Sequence, residues 1–169
     1  GDMSLKDVKS TISPSMDIQI SSNFERQLFE SLEYNSSKLS ELMKTFMESK
    51  EYNLKGKIHD DLKLYYKSKG IDDELTIKTI KEFYKKFNYI SDPHTATSLN
   101  ILSELNNDDI NIALACAHPA KFPNSIKDSI DLFPEQPKKL ADMMDSDERY
   151  IDLKNSTELV KNYIIKSIS

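Results

Sequence analysis

Residues 13–26 read SPSMDIQISSNFER, and a change of period inside this stretch points to the fold class. Met16, Ile18 and Ile20 alternate with polar residues, the period of a short half-buried strand. Ser22 and Glu25 then stand at the S-x-x-E spacing of a capping box, and Phe24, Leu28 and Leu32 repeat at i, i+4 and i+8, which predicts a helix from about residue 23 to 33. A strand that feeds straight into a helix N-terminus is a building unit of α/β folds.

Further along the chain, Ser36 or Ser37 can cap a second helix, whose Leu39, Leu42, Met43, Phe46 and Met47 form one apolar stripe. Residues 52–70 are basic and carry Ile58, Leu62 and Tyr65 or Tyr66 at helical spacing, so a helix ending near Gly70 is expected. Asp72 or Asp73 caps a fourth helix, with Leu75, Ile80, Phe83, Tyr84 and Phe87 inward and its lysines in water. Asp92-Pro93 is a capping Asp before a proline at the first helical position, followed by Ala96, Leu99, Leu102 and Leu105.

The nearly continuous apolar run INIALAC at 110–116 reads as a buried strand with Cys116 and His118 at its C-terminal edge. Pro119, Pro123, Pro134 and Pro137 divide the next stretch into short helices near 125–132 and 138–144. One more strand is expected at 149–153, and a last amphipathic helix opens at Asn155 and carries Leu159, Tyr163, Ile164 and Ile168. The expected fold is helix-rich α/β, with a few short strands among many helices.

The chain has 169 residues, 38% apolar and 30% charged, enough for one folded domain with a core. Its formal charge of −5 offers no general field for nucleic acid or an anionic membrane. No apolar run is long enough to span a bilayer, and the single cysteine, Cys116, suits a reducing cytoplasm. With only Gly1, Gly56 and Gly70 present, neither a GxGxxG nor a GxxxxGK[ST] loop can be built from these residues. His59, His94, Cys116 and His118 lack the paired spacings of a zinc site, so no metal is expected.

Ligands of open α/β sheets gather beyond the carboxyl ends of strands, which singles out residues 21–26 and 116–122. Ser21, Ser22 and Asn23 would offer amides and a helix dipole to an anion, with Arg26 one turn on. Only Arg26 and Arg149 are arginine among 23 basic residues, and arginine where lysine is the habit suggests a forked contact. An ordinary capped helix with an exposed arginine has the same pattern. Cys116 and His118 are spaced as a nucleophile and its base could be, but no third orienting residue is evident, and a buried inert cysteine is the simpler reading. His94, in a helix's first turn, would be a neutral hydrogen-bonding group or a surface residue.

Four segments, SPSMDI at 13–18, SSNFER at 21–26, DPHTA at 92–96 and AHPAKF at 117–122, resemble the C-terminal part of threonine synthase, in the order of that family. The resemblance implies the C-terminal portion of a type II pyridoxal-phosphate fold, with residues 1–12 a linker from an upstream region, 13–90 a mostly helical segment, and 91–169 returning to the cofactor domain. It implies an enzyme that converts O-phospho-L-homoserine and water to L-threonine and phosphate. Cys116 would contact the cofactor's pyridine nitrogen, where the family usually has threonine, and a thiol is a weaker donor there. Ser22, Asn23 and Arg26 would hold the substrate phosphate, and His94, Thr95, His118 and Lys121 would line or support the site. No catalytic residue is expected in this chain, because the family's Schiff-base lysine and glycine-rich loop lie in its earlier part, so the fragment alone should be inactive. Its partner would be the remainder of such a chain, and unpaired strand edges could join two copies. The alternative is a non-catalytic module of the same descent, binding a partner protein or a small anion.

Overall fold

The computed structural model describes residues 1–144 and 146–168. Among them the chain forms two compact units, 1–135 and 136–169. The first carries six α-helices: α1 (Ser22–Ser31), α2 (Ser36–Ser49), α3 (Lys57–Tyr65), α4 (Asp73–Phe87), α5 (Pro93–Glu104) and α6 (Pro123–Ile130). The second carries α7 (Lys138–Met144) and α8 (Thr157–Ile168). Every residue of α8 is exposed, its apolar stripe included.

Side-chain caps set the starts of α1, α2, α4 and α5. Ser21 rather than Ser22 caps α1, its Oγ accepting from the Phe24 amide at 3.4 Å, and Asn35 rather than a serine caps α2, accepting from Lys38 N at 3.0 Å. Asp72 caps α4 at Leu75 N, 2.9 Å. In each case the oxygen meets an amide that the helix itself leaves unbonded. α3 is shorter than its sequence period suggested; Gly56 caps it at φ 66°, ψ −151°, a conformation open to glycine and little else.

Two apolar clusters hold the first unit together. Leu28, Leu42, Leu54 and Leu62 join α1, α2 and α3, with Phe24, Leu39 and Met43 packed on them. Ile80, Ala96 and Ile126 join α4, α5 and α6. On α4 the buried face includes Thr76 and Thr79, whose hydroxyls bond back to the carbonyls of Asp72 and Leu75, while Phe87 at the end of the expected stripe is 57% exposed. Met3 N donates to Tyr52 O and Leu5 N to Lys50 O, so the first residues lie antiparallel beside 50–54.

The three expected strands form no ladder among the described residues, where the sole pairing is an isolated bridge between Asp2 and Asn53. Residues Pro14–Met16 instead make a 3₁₀ turn, because Asp17 reaches back to accept from Thr11 N (2.7 Å) and Thr11 Oγ1 (2.8 Å) and closes the loop. Residues 110–116 run without a partner strand, and Ile110, Ile112 and Leu114 are 93%, 79% and 74% exposed. The run is apolar enough for a buried strand, but a ladder requires a neighbour to accept its hydrogen bonds. Residues 149–153 are likewise unpaired.

Candidate functional site

The N-terminus of α5 is where three of the four motif segments meet. Asp92 caps this helix with its side chain fully buried, and five donors converge on the carboxylate. Oδ1 accepts from His94 N (2.9 Å), His94 Nδ1 (3.0 Å) and Thr95 N (3.4 Å). Oδ2 accepts from the Thr95 hydroxyl in a short contact and from Ala117 N at 3.2 Å.

Two side chains pass this anchorage outward. Thr95 Oγ1 donates a hydrogen bond to Asp92 and accepts one from Cys116 N at 2.9 Å. His94 donates from Nδ1 to Asp92, so its lone pair lies on Nε2, which accepts from Ser15 N at 3.2 Å. The imidazole also lies against Phe122, with ring centroids 4.8 Å apart at 56°. One buried carboxylate thus ties the 13–17 turn and the 116–122 segment to α5.

The expected site residues fall into two places. His94 and Thr95 are buried in this network, and His94 is the neutral hydrogen-bonding imidazole of the two readings open to it. Cys116 is exposed, against the expectation of a buried inert thiol, because the run that carries it has nothing packed over it. Its Sγ makes one long contact, to Leu114 O at 3.6 Å, and no bond joins it to His118, whose Nδ1 accepts from Ala120 N at 3.2 Å. His118 and Lys121 are both exposed on the turn after it.

Ser22, Asn23 and Arg26 are exposed on the first turns of α1. No hydrogen bond among the described residues links them to the Asp92 network. The seven chain steps from Ser15 to Ser22 nevertheless limit the separation of those two Cα atoms to about 25 Å. A cavity of about 540 Å³ lined by Thr11, Ser13, Asp17, Lys69 and Ser98 among others includes none of the candidates.

Asp92 itself was visible in the sequence only as a cap. Its second oxygen binds a residue 25 positions away, which no local pattern shows. The signal lay in DPHT, where an Asp, a His and a Thr stand together at the N-terminus of the helix. Ser91, just before it, is 1% exposed and its hydroxyl meets no partner among the described residues.

A family profile described as "Threonine synthase, C-terminal" matches residues 95–164. The threonine synthase of Pseudomonas aeruginosa is 33% identical over 157 residues, covering 91% of this chain and 34% of that protein. A crystal structure described as PLP-bound threonine synthase from Brucella melitensis superposes with a TM-score of 0.83 at 32% identity, over 97% of this chain and 36% of that one. The chain matches the C-terminal part of threonine synthases. The threonine synthase of yeast gives a TM-score of 0.76 at 26% identity, covering 98% of this chain and 38% of its own. The chain therefore spans about a third of the length of the threonine synthases it matches, and it has the helix-rich C-terminal portion of their type II fold. No helix among its described residues is long and apolar enough to cross a membrane.

Proposed function

We propose that these residues form the C-terminal part of an enzyme that converts O-phospho-L-homoserine and water to L-threonine and phosphate with pyridoxal phosphate. The similarity to threonine synthases over nine-tenths of the chain, 33% identical in the Pseudomonas protein, carries this reading.

The donor set fits the cofactor and the substrate. Cys116 presents an exposed thiol beyond the network, suited to a hydrogen bond with a ring nitrogen. When bound, the cofactor supplies an electron sink for the reacting carbon. The amides of Ser22 and Asn23 lie in the first turn of α1, where a helix has no acceptors of its own for them, and Arg26 adds a forked cation. These three hold the substrate phosphate, and the fixed charge of Arg26 stabilises it as it departs. His94 and Thr95 support the site from behind, while His118 and Lys121 line it.

The exposed run at 110–116 pairs with the remainder of the enzyme, which covers Ile110, Ile112 and Leu114. A reducing cytoplasm suits an enzyme that depends on a free thiol. The full-length protein loaded with pyridoxal phosphate should release phosphate and L-threonine in equal amounts from O-phospho-L-homoserine. The 169-residue chain alone should release neither. Absence of turnover by the loaded full-length protein would refute the proposal.

A further inference from the structure

We infer that Asp92 is a positioning residue of this site, which sets the place of the Cys116 thiol through the Thr95 hydroxyl and the Ala117 amide. The inference rests on the proposed contact between Cys116 and the cofactor ring.

Capping α5 does not require what Asp92 does. Ser21 and Asn35 cap α1 and α2 with one neutral oxygen each, and the bonds to His94 N and Thr95 N at Oδ1 are the equivalent here. Oδ2 reaches out of the helix instead. Every group that meets the carboxylate is a donor, so the position requires two acceptor oxygens. An asparagine would turn an NH₂ toward either the Thr95 and Ala117 donors or the His94 ring.

The direction of the Thr95 hydroxyl is set by this arrangement. Its proton points at Asp92, which leaves its lone pairs to the Cys116 amide. In an extended strand consecutive amides point to opposite sides. Here the amides of Cys116 and Ala117 are both drawn to α5, one by Thr95 Oγ1 at 2.9 Å and one by Asp92 Oδ2 at 3.2 Å, and the chain bends at Ala117. Two consecutive anchors fix the peptide plane between them. Among the described residues the thiol has only the long contact to Leu114 O, so its position depends on the backbone that carries it. Asp92, at 1% exposure, is walled off from any ligand and acts only through these groups.

The test uses the full-length, cofactor-loaded enzyme with Asp92→Asn, Thr95→Val and Thr95→Ser. Thr95→Ser keeps the hydroxyl and should match the wild type. Asp92→Asn and Thr95→Val should alter the absorption spectrum of the bound cofactor and lower kcat by about 10²-fold, the scale of a 1 Å misplacement, with KM changed only a few-fold. Hydrogen exchange at the Cys116 and Ala117 amides should quicken in both variants and not in Thr95→Ser. A merely structural role would lower the melting temperature and leave spectrum, kcat and these two amides unchanged, which overturns the inference. If Asp92→Asn does not fold, the contrast between Thr95→Val and Thr95→Ser decides. Failure of the functional reading is separately visible as a wild type that takes up no cofactor, and the amide exchange still decides whether Asp92 positions the segment.

Discussion

Truncating His94 to alanine removes the link between the 13–17 turn and α5, and its cost can be worked from the contacts. Loss of the Nδ1–H takes one of five donors from a buried carboxylate, which costs about 1.5–3 kcal/mol for a bond to a charged group. Loss of the ring pair with Phe122 costs about 0.5–1.5 kcal/mol. The Ser15 amide loses its acceptor too, but Ser15 is exposed and water replaces the imidazole at a cost of about 1 kcal/mol or less. The total is about 2–5.5 kcal/mol of local stability at the N-terminus of α5. At 1.4 kcal/mol per decade this predicts exchange of the α5 amides faster by about 30- to 10⁴-fold in the full-length protein. The Phe122→Ala background should recover about 0.5–1.5 kcal/mol of the effect as a coupling energy. A loss below about 1 kcal/mol, with no change at the Ser15 amide, would show that His94 does not join these segments.

Replacing Arg26 with Ala in the full-length enzyme should lower kcat/KM for O-phospho-L-homoserine by about 10²–10³-fold, and lysine should restore only part of it, since it lacks the fork; unchanged steady-state kinetics would rule out the phosphate role. Gly56→Ala has open space for its Cβ but must hold φ 66°, so a loss of about 1–3 kcal/mol is expected by denaturant titration, and a neutral result would show that the cap relaxes freely. The Lys127 ammonium, 2.5 Å from Asp131, donates to that carboxylate and holds it below the ordinary carboxylate range. Because the folded-state value is lowered, the contribution is in place above the ordinary range and is lost as pH falls through the lowered value. An NMR pH titration should return Asp131 to the ordinary range in Lys127→Met.

Most helices were legible from a start signal or an apolar stripe, and Asp92-Pro93 marks the start of α5 to the residue, while Asp72 was one of two candidates for α4. The strands were not, for two different reasons. Met16, Ile18 and Ile20 alternate, yet the bonds from Thr11 to Asp17 close a turn that no period records. Residues 110–116 are apolar enough for a core, but composition states what a segment can bury and not what covers it. The same distinction exposes Cys116 and buries the start of α5 beyond its Leu stripe, from Pro93 to Thr97. Sequence motifs pointed to His94, Thr95 and Cys116 separately; their common attachment to Asp92 depends on contacts across 21 to 25 residues, which only the folded chain displays.

The bond from the Ser15 amide to His94 spans 79 positions of the chain, while each apolar cluster is assembled from residues much nearer one another. Contacts of short span repay their loop closure early, and those of long span do so late. During synthesis the α1–α3 cluster can therefore condense first and the α4–α6 cluster after it, with the Ser15–His94 clasp as the closing event. Pulse-labelled exchange on refolding should accordingly find the Ser15 amide protected after those of α2 and α4. The chain then acquires its candidate site late in the folding sequence, which keeps a half-made protein from presenting a half-made site.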